Sequence, residues 1–237
     1  VASVVSSAMQ ETVAQLGADM SKVVVQPMGV DMNSRFVPKP EQVRSSTELL
    51  FVGRLVEKKG LRHLLDALPT VLQERPDVTL SIAGFGPEET ALKAQVNSLH
   101  LETNVRFLGA VSQEQLPALY QRAALFVAPF IKAKSGDEEG LGLVLVEALA
   151  CGCPVLVGDV ASMRDIFESM ADESIVDPRD SVRFATAILM HLKNHESGVK
   201  RALVMRETLA SKLSWDHVSK QYSELLQRVV PHADSKK

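Results

Sequence analysis

The sequence predicts an α/β protein with a doubly wound parallel sheet of the Rossmann-like kind. Three observations predict it. Short β-branched apolar runs alternate with amphipathic stretches along most of the chain. The runs are apolar throughout rather than at every second residue, the pattern of strands covered on both faces. Several of them also run straight into glycine, at Gly53, Gly84 and Gly109, before a helical pattern begins. Ligands of such sheets bind beyond the carboxyl ends of the strands.

The elements follow in order. Ala2–Ser6 and Val23–Gln26 are expected strands around a helix. Residues 1–32 are too few to bury a core alone, so they read as the last strand–helix–strand unit of a truncated N-terminal domain. Residues 33–47 hold Pro38, Pro40, serines and mixed charges, and read as a linker. Residues 48–213 read as one α/β domain, with strands at Leu49–Gly53, Val78–Ala83, Val105–Leu108, Leu125–Ala128, Pro154–Val157 and Ser174–Val176. Its first helix is Leu61–Gln73, where Leu61, Leu64, Leu65, Leu68, Val71 and Leu72 share one stripe. A last helix spans 214–230, with Ser214 as N-cap and Trp215, Val218, Tyr222, Leu225 and Leu226 on its apolar face. Residues 231–237 read as a disordered tail.

Composition narrows the function classes. Hydrophobic residues make up 46% of the 237, ample for a core. No apolar run reaches the ~18–20 residues of a membrane span. A net charge of −3 and 5% aromatics give no reason to expect a nucleic-acid partner. Cys151 and Cys153 are too close for an easy disulfide and too few for a zinc site, so buried free thiols are expected. Free thiols fit a reducing, cytoplasmic compartment. The start, VASVVSS, has neither a basic n-region nor an initiator Met, so a piece of a longer chain is expected. The six histidines form no ligand-spaced cluster and no GxSxG occurs. Neither a metal nor a serine or cysteine nucleophile is therefore expected.

The densest chemistry lies in EEGLGLVLVEALACGCPV, Glu138 to Val155. Two carboxylates, Glu139 and Glu147, flank the turn Gly140-Leu141-Gly142, where the backbone can come close to a ligand. The helix that follows offers free N–H groups to an anion. Eight residues of helix would part the carboxylates by about 12 Å, less if Glu139 sits in the turn. A glycosidase pair lies roughly 5–9.5 Å apart. This pair suits opposite ends of a larger ligand; the plain alternative is a solvated loop acid and an acid favoured by the helix dipole.

Two further turns are candidates. LLFVG ends in Gly53-Arg54, and LVEKKG precedes a helix. Arg54 can fork onto a phosphate while Lys58 or Lys59 adds a point charge; a solvated basic turn is the alternative. No Walker-type sequence is present. Ala83-Gly84-Phe85-Gly86-Pro87 is either a ligand-facing turn or a purely structural one. Ser112 and Gln115 make a capping box, and backbone groups near Val111 can pair with the edge of a base.

The segments PMGVD (Pro27–Asp31), VGRLVEKKG (Val52–Gly60), AGFGPE (Ala83–Glu88), VRFLGAV (Val105–Val111) and EGLGLVLVEALACGCPV (Glu139–Val155), in this order and spacing, resemble the retaining GT-B glycosyltransferases of the family-four type, glycosyl transferases group 1. That group includes bacterial enzymes of polysaccharide and lipid biosynthesis. The resemblance implies two Rossmann-like domains facing across a cleft, of which this chain is the C-terminal, donor-binding half. It implies that Arg54 and Lys59 bind the diphosphate of a nucleotide sugar, Glu147 the ribose hydroxyls and Glu139 hydroxyls of the donor sugar. Backbone N–H groups of Gly142, Leu143 and Val144 would meet the phosphates and sugar, and Val111 the base. Gly53, Gly84, Phe85, Gly86, Gly140 and Leu141 would line the donor cleft.

Arg54, Lys59 and Glu139 carry the catalytic expectation, with no metal and no cofactor beyond the nucleotide-sugar substrate. The acceptor, a glycan or lipid-linked sugar, would be held by the missing N-terminal domain, and so would any contact with the inner face of a membrane. Two other readings stay open at this point: a non-catalytic nucleotide-binding module, and a sugar phosphorylase or epimerase of the same fold.

Overall fold

The computed structural model describes residues 1–167 and 174–229. The elements are β1 (Ala2–Val4), α1 (Ser7–Gln15), β2 (Val23–Val25), β3 (Glu48–Val52), α2 (Leu61–Glu74), β4 (Thr79–Ala83), α3 (Glu89–Ser98), β5 (Val105–Gly109), α4 (Leu116–Arg122), β6 (Leu125–Ala128), α5 (Leu143–Ala150), β7 (Val155–Val157), α6 (Ala161–Phe167), α7 (Ser181–Lys193), α8 (His195–Leu213) and α9 (Trp215–Val229). The expected tail, 231–237, lies outside the described residues. No helix among those described is long and apolar enough to cross a membrane.

The main sheet has five parallel strands in the order β5-β4-β3-β6-β7. Both of its faces are covered, as the apolar runs predict. Leu49 and Phe51 of β3 pack with Leu61, Leu64 and Leu68 of α2 on one side. Leu50 and Val52 pack with Leu145 and Leu149 of α5 on the other. The chain runs outward from β3 to β5, then returns to β6 beside β3 and runs outward the other way. The order therefore reverses between β3 and β6, and sheets of this kind take their ligands beyond the carboxyl ends at such a reversal.

One expected strand is not formed. Ser174–Val176 contributes a single parallel bridge, Ile175 to Val157, with the Val176 N–H donating to the Val157 carbonyl at 2.9 Å. Pro178, which has no N–H to offer a ladder, comes two residues later.

β1 and β2 form a separate two-stranded parallel sheet around α1. Residues 33–47 contain no helix or strand, yet they do not hang loose. Phe36 is 3% exposed, the Val37 carbonyl accepts from Gln121, and Arg44 reaches the carbonyls of Tyr120, Ala123 and Cys151. The segment expected as a linker is thus a packed one. α9 crosses back toward the small unit. Val30 N–H donates to the Leu213 carbonyl, Trp215 N–H to the Val30 carbonyl, and Gln26 to Gln221. Ser214 Oγ accepts from the His217 N–H at 3.4 Å, the N-cap arrangement expected. Trp215 lies on Gly29 and remains half exposed.

Candidate functional site

The site is built on the segments that leave the carboxyl ends of β3, β4 and β6. Past the end of β3, Gly53 N–H donates to Ala83 O, and Gly84 N–H to Gly109 O. Gly84 has φ of 141°, and a Cβ there would lie 1.9 Å from the Gly53 carbonyl oxygen. A Cβ on Gly86 would lie 2.4 Å from the Leu55 oxygen. Both glycines thus serve backbone-on-backbone packing, whether or not the turn also faces a ligand. Phe85 between them is 64% exposed. Gly84→Ala is expected to cost at least ~2 kcal/mol, because both the strained φ and the collision with backbone must be relieved. A urea titration with unchanged slope and a lowered midpoint would show it; a midpoint like that of the parent would contradict it.

Beyond Gly53, residues Glu57–Lys59 form one 3-10 turn that ends at Gly60 with φ of 66°. A Cβ on Gly60 would lie 1.8 Å from the Pro129 carbonyl, and Ile131 N–H donates to Lys58 O at 3.0 Å. The segments after β3 and β6 are thereby pressed together past the strand ends. Lys59 emerges there. Its Nζ is 2.6 Å from Glu139 Oε2 and 4.6 Å from the centre of the Phe130 ring, a cation–π contact. The Lys59 and Glu139 side chains are only 13% and 15% exposed. Glu139 Oε1 accepts from Gly142 N–H at 3.2 Å, and its main-chain carbonyl accepts from Ser162 Oγ at 2.5 Å. Burial pushes the Glu139 carboxyl up. The charge and hydrogen bond of Lys59, the Gly142 N–H and Lys58 outweigh it and hold the group below its ordinary value. Lys58 itself pairs with Asp137 at 3.2 Å.

Gly142, with φ of 67°, is the N-cap of α5, and Glu139 sits in the turn before it. The Gly142 N–H is therefore taken by Glu139, whereas the N–H groups of Leu143 and Val144 have no partner among the described residues. Those two amides sit at the helix's positive end. Gly140 lies in the same turn, where a Cβ would meet Met9 of α1 at 3.1 Å, and Leu141 is buried.

Glu147 lies beyond the first turn of α5, so the alternative of a dipole-favoured N-terminal acid does not describe it. It is 8% exposed and accepts from the hydroxyl of Tyr120 at 3.0 Å. Burial raises its pKa to about 7, against the opposing pull of the Tyr120 hydrogen bond and the Arg35 charge.

Arg54 is exposed; its main-chain carbonyl accepts from the Val56 N–H at 3.0 Å, and its guanidinium has no hydrogen bond or ion pair among the described residues. Val111 is half-buried against the core just past β5. Only half of the capping box forms: Gln115 Oε1 accepts from the Ser112 N–H, while α4 itself begins at Leu116. Cys151 and Cys153 are buried free thiols, pushed by burial to about 12 and about 11.

Sequence reasoning picked out Lys59 and Glu139, which meet, but passed over Tyr120, Ser162 and Arg35. Phe130 carried a usable signal, since it follows strand LFVA at the reversal point. Tyr120 reads locally as one more apolar position of a helix. Among the described residues no group of three or more His, Cys, Asp or Glu is placed to hold a metal.

With this geometry in view, the likenesses to known proteins fall into place. The model of the family described as glycosyl transferases group 1 matches residues 35–206. A GDP-mannose-dependent alpha-(1-6)-phosphatidylinositol monomannoside mannosyltransferase of Mycobacterium tuberculosis is 30% identical over 210 residues, covering 84% of this chain and 54% of that protein. The amylovoran biosynthesis glycosyltransferase AmsK of Erwinia amylovora is 26% identical over 226 residues, covering 95% of this chain and 55% of its own length. The crystal structure of Anabaena HepE in complex with UDP and glucose shares the fold, with a TM-score of 0.83 at 23% identity over 95% of this chain and 62% of that one. The chain spans about half the length of these curated relatives. A matched stretch from Arg35 to Arg206 takes in the whole five-stranded sheet and both motif acids, and by it this chain belongs to the glycosyl transferases group 1 family.

Proposed function

We propose that this chain is the donor-binding part of a glycosyltransferase, one that moves a sugar from a nucleotide-diphosphate sugar to an acceptor hydroxyl with retention of anomeric configuration. The observation that carries the reading is the Lys59–Glu139 pair, 2.6 Å apart and held beside the start of α5 at the reversal point of the sheet. A cation, free helix amides and an acid converge there, as a phosphate beside a polyhydroxyl ligand requires.

In this reading the diphosphate lies against the N–H groups of Leu143 and Val144, with Lys59 behind it and Arg54 closing from the rim. Glu139 has accepted its orienting bond from Gly142 and turns toward the sugar hydroxyls. Glu147 receives the ribose, and the backbone at Val111 the base. As the bond from sugar to phosphate breaks, negative charge grows on the departing diphosphate. Lys59, Arg54 and the α5 amides interact with that charge more strongly than with the intact donor, which lowers the barrier. The acceptor hydroxyl then attacks on the face the diphosphate leaves, and no step requires a metal or an enzyme nucleophile. The acceptor, a glycan or lipid-linked sugar, is assigned to chain outside these residues, as is any membrane contact; the setting is taken as cytoplasmic.

Calorimetry with UDP-, GDP- and ADP-sugars tests the reading. The best-bound donor is expected to lose at least ~1.4 kcal/mol, tenfold in Kd, in the Arg54→Ala/Lys59→Ala double variant. Undiminished binding by that variant would remove both cations from the site. Release of free nucleotide and an altered sugar without any acceptor would favour an epimerase instead.

A further inference from the structure

Glu147 differs from Glu139 in what surrounds it. Glu139 has the Lys59 ammonium at 2.6 Å, while Glu147 has the neutral Tyr120 hydroxyl at 3.0 Å. Tyr120 is fully buried and set edge-on between Phe36 and Phe126, with ring centres 6.2 and 5.5 Å away. Packed in this way, the ring presents its hydroxyl to the acid. Other charged and titratable groups stand further off. Arg35, from the segment before β3, acts on Glu147 through space. Cys151 and Cys153 are neutral thiols, and Arg44 and Arg206 act on the thiols rather than on the carboxyl. A carboxyl in this setting gains more from holding its proton than from ionising. A ribose brings two hydroxyl donors, which favour the ionised form.

We infer that Tyr120 is the positioning residue for Glu147, and that seating a nucleotide sugar makes Glu147 release its proton. The inference rests on the donor reading above. The O–H bond of the Glu147 carboxyl breaks, the proton passes to solvent, and hydroxyls of the ribose donate to the carboxylate in its place. Tyr120 keeps its donor bond throughout and leaves the second oxygen free for the ligand. Burial holds the empty-site acid at about 7, so it is mostly protonated at pH 6 and mostly ionised at pH 8.

Calorimetry of this chain with UDP-glucose, GDP-mannose and ADP-glucose, whose diphosphates do not titrate near neutrality, tests this in two buffers of different ionisation enthalpy. Nearly one proton is expected to leave on binding at pH 6 and almost none at pH 8, with affinity rising about tenfold between them. In Glu147→Gln both effects vanish. In Tyr120→Phe, which keeps the ring and its packing, the midpoint of the pH profile moves upward; a merely structural Tyr120 would weaken binding equally at every pH. A carbon-13 carboxyl titration of the empty site reads the same displacement without ligand. Binding with no proton release, or a midpoint unmoved in Tyr120→Phe, overturns this inference and leaves the donor reading standing. Failure of all three sugars to bind at any pH overturns the donor reading and this inference with it.

Discussion

On the proposed donor reading, Lys59→Ala in any form of the protein that transfers sugar is expected to lower kcat by about 10²–10³ while KM for the donor changes much less. The size reflects where the ammonium is held. Glu139 at 2.6 Å, the Phe130 face at 4.6 Å and the Gly60 backbone pressed on Pro129 leave Lys59 little freedom. A cation fixed before the reaction need not reorganise while charge develops on the leaving diphosphate, so its effect falls on the transition state. Loss of Lys59 also leaves Glu139 largely buried without its counter-charge, which adds to the damage. A sodium chloride series on the parent enzyme should alter the rate less than for an exposed pair, as buried pairs are poorly screened. The pH dependence has a definite sign. The Glu139 carboxyl is held below its ordinary value of 4.5, so its pair with Lys59 is intact above that pH and is lost only as pH falls further. Steady-state kinetics at saturating donor would decide the matter. A Lys59→Ala enzyme with more than about a tenth of parental kcat would show that this cation does not serve the transition state.

Arg44→Ala is expected to cost about 3 kcal/mol of stability, a fall in Tm of roughly 6–12 °C. Arg44 donates to the carbonyls of Tyr120, Ala123 and Cys151, at 2.5, 2.8 and 3.1 Å. Tyr120 and Ala123 lie at the end of α4, and Cys151 is the C-cap of α5. Carbonyls at helix ends have no partner of their own, and one guanidinium supplies it here for two helices at once. Alanine would leave three carbonyls under-satisfied beside a core that water barely reaches. Thermal unfolding by circular dichroism measures the effect. A Tm within about 2 °C of the parent would mean that the carbonyls find other partners.

The sheet was largely legible because its rule is local. A short run such as LLFV, apolar at every position and ended by a glycine, suits a strand buried on both faces, and Leu50 and Phe51 do go to opposite layers. Ser174–Val176 misled because two apolar residues resemble the start of a strand whether or not the chain can continue beside a neighbour. The site was legible where two motifs each carried a charge, as with Lys59 and Glu139, 80 positions apart. Tyr120 stayed hidden because a tyrosine on a helix is ordinary core, and its meeting with Glu147 depends on how α4 lies on α5. Residues 33–47 were legible as irregular chain but not as packed chain. Prolines, serines and charges mark the absence of regular structure, but Arg44 and Phe36 tie the segment down by contacts that composition does not register.

The chain passes between its small unit and its main domain twice, and both passages meet where Val30 bonds with Leu213 and Trp215. Between those crossings α1 leans on α6, so the small unit is braced at a second place. Met9 of α1 abuts Gly140, one residue from Glu139. Any displacement of α1 would therefore press directly on the loop that aims the acid, tying the seating of the small unit to the placement of that carboxylate.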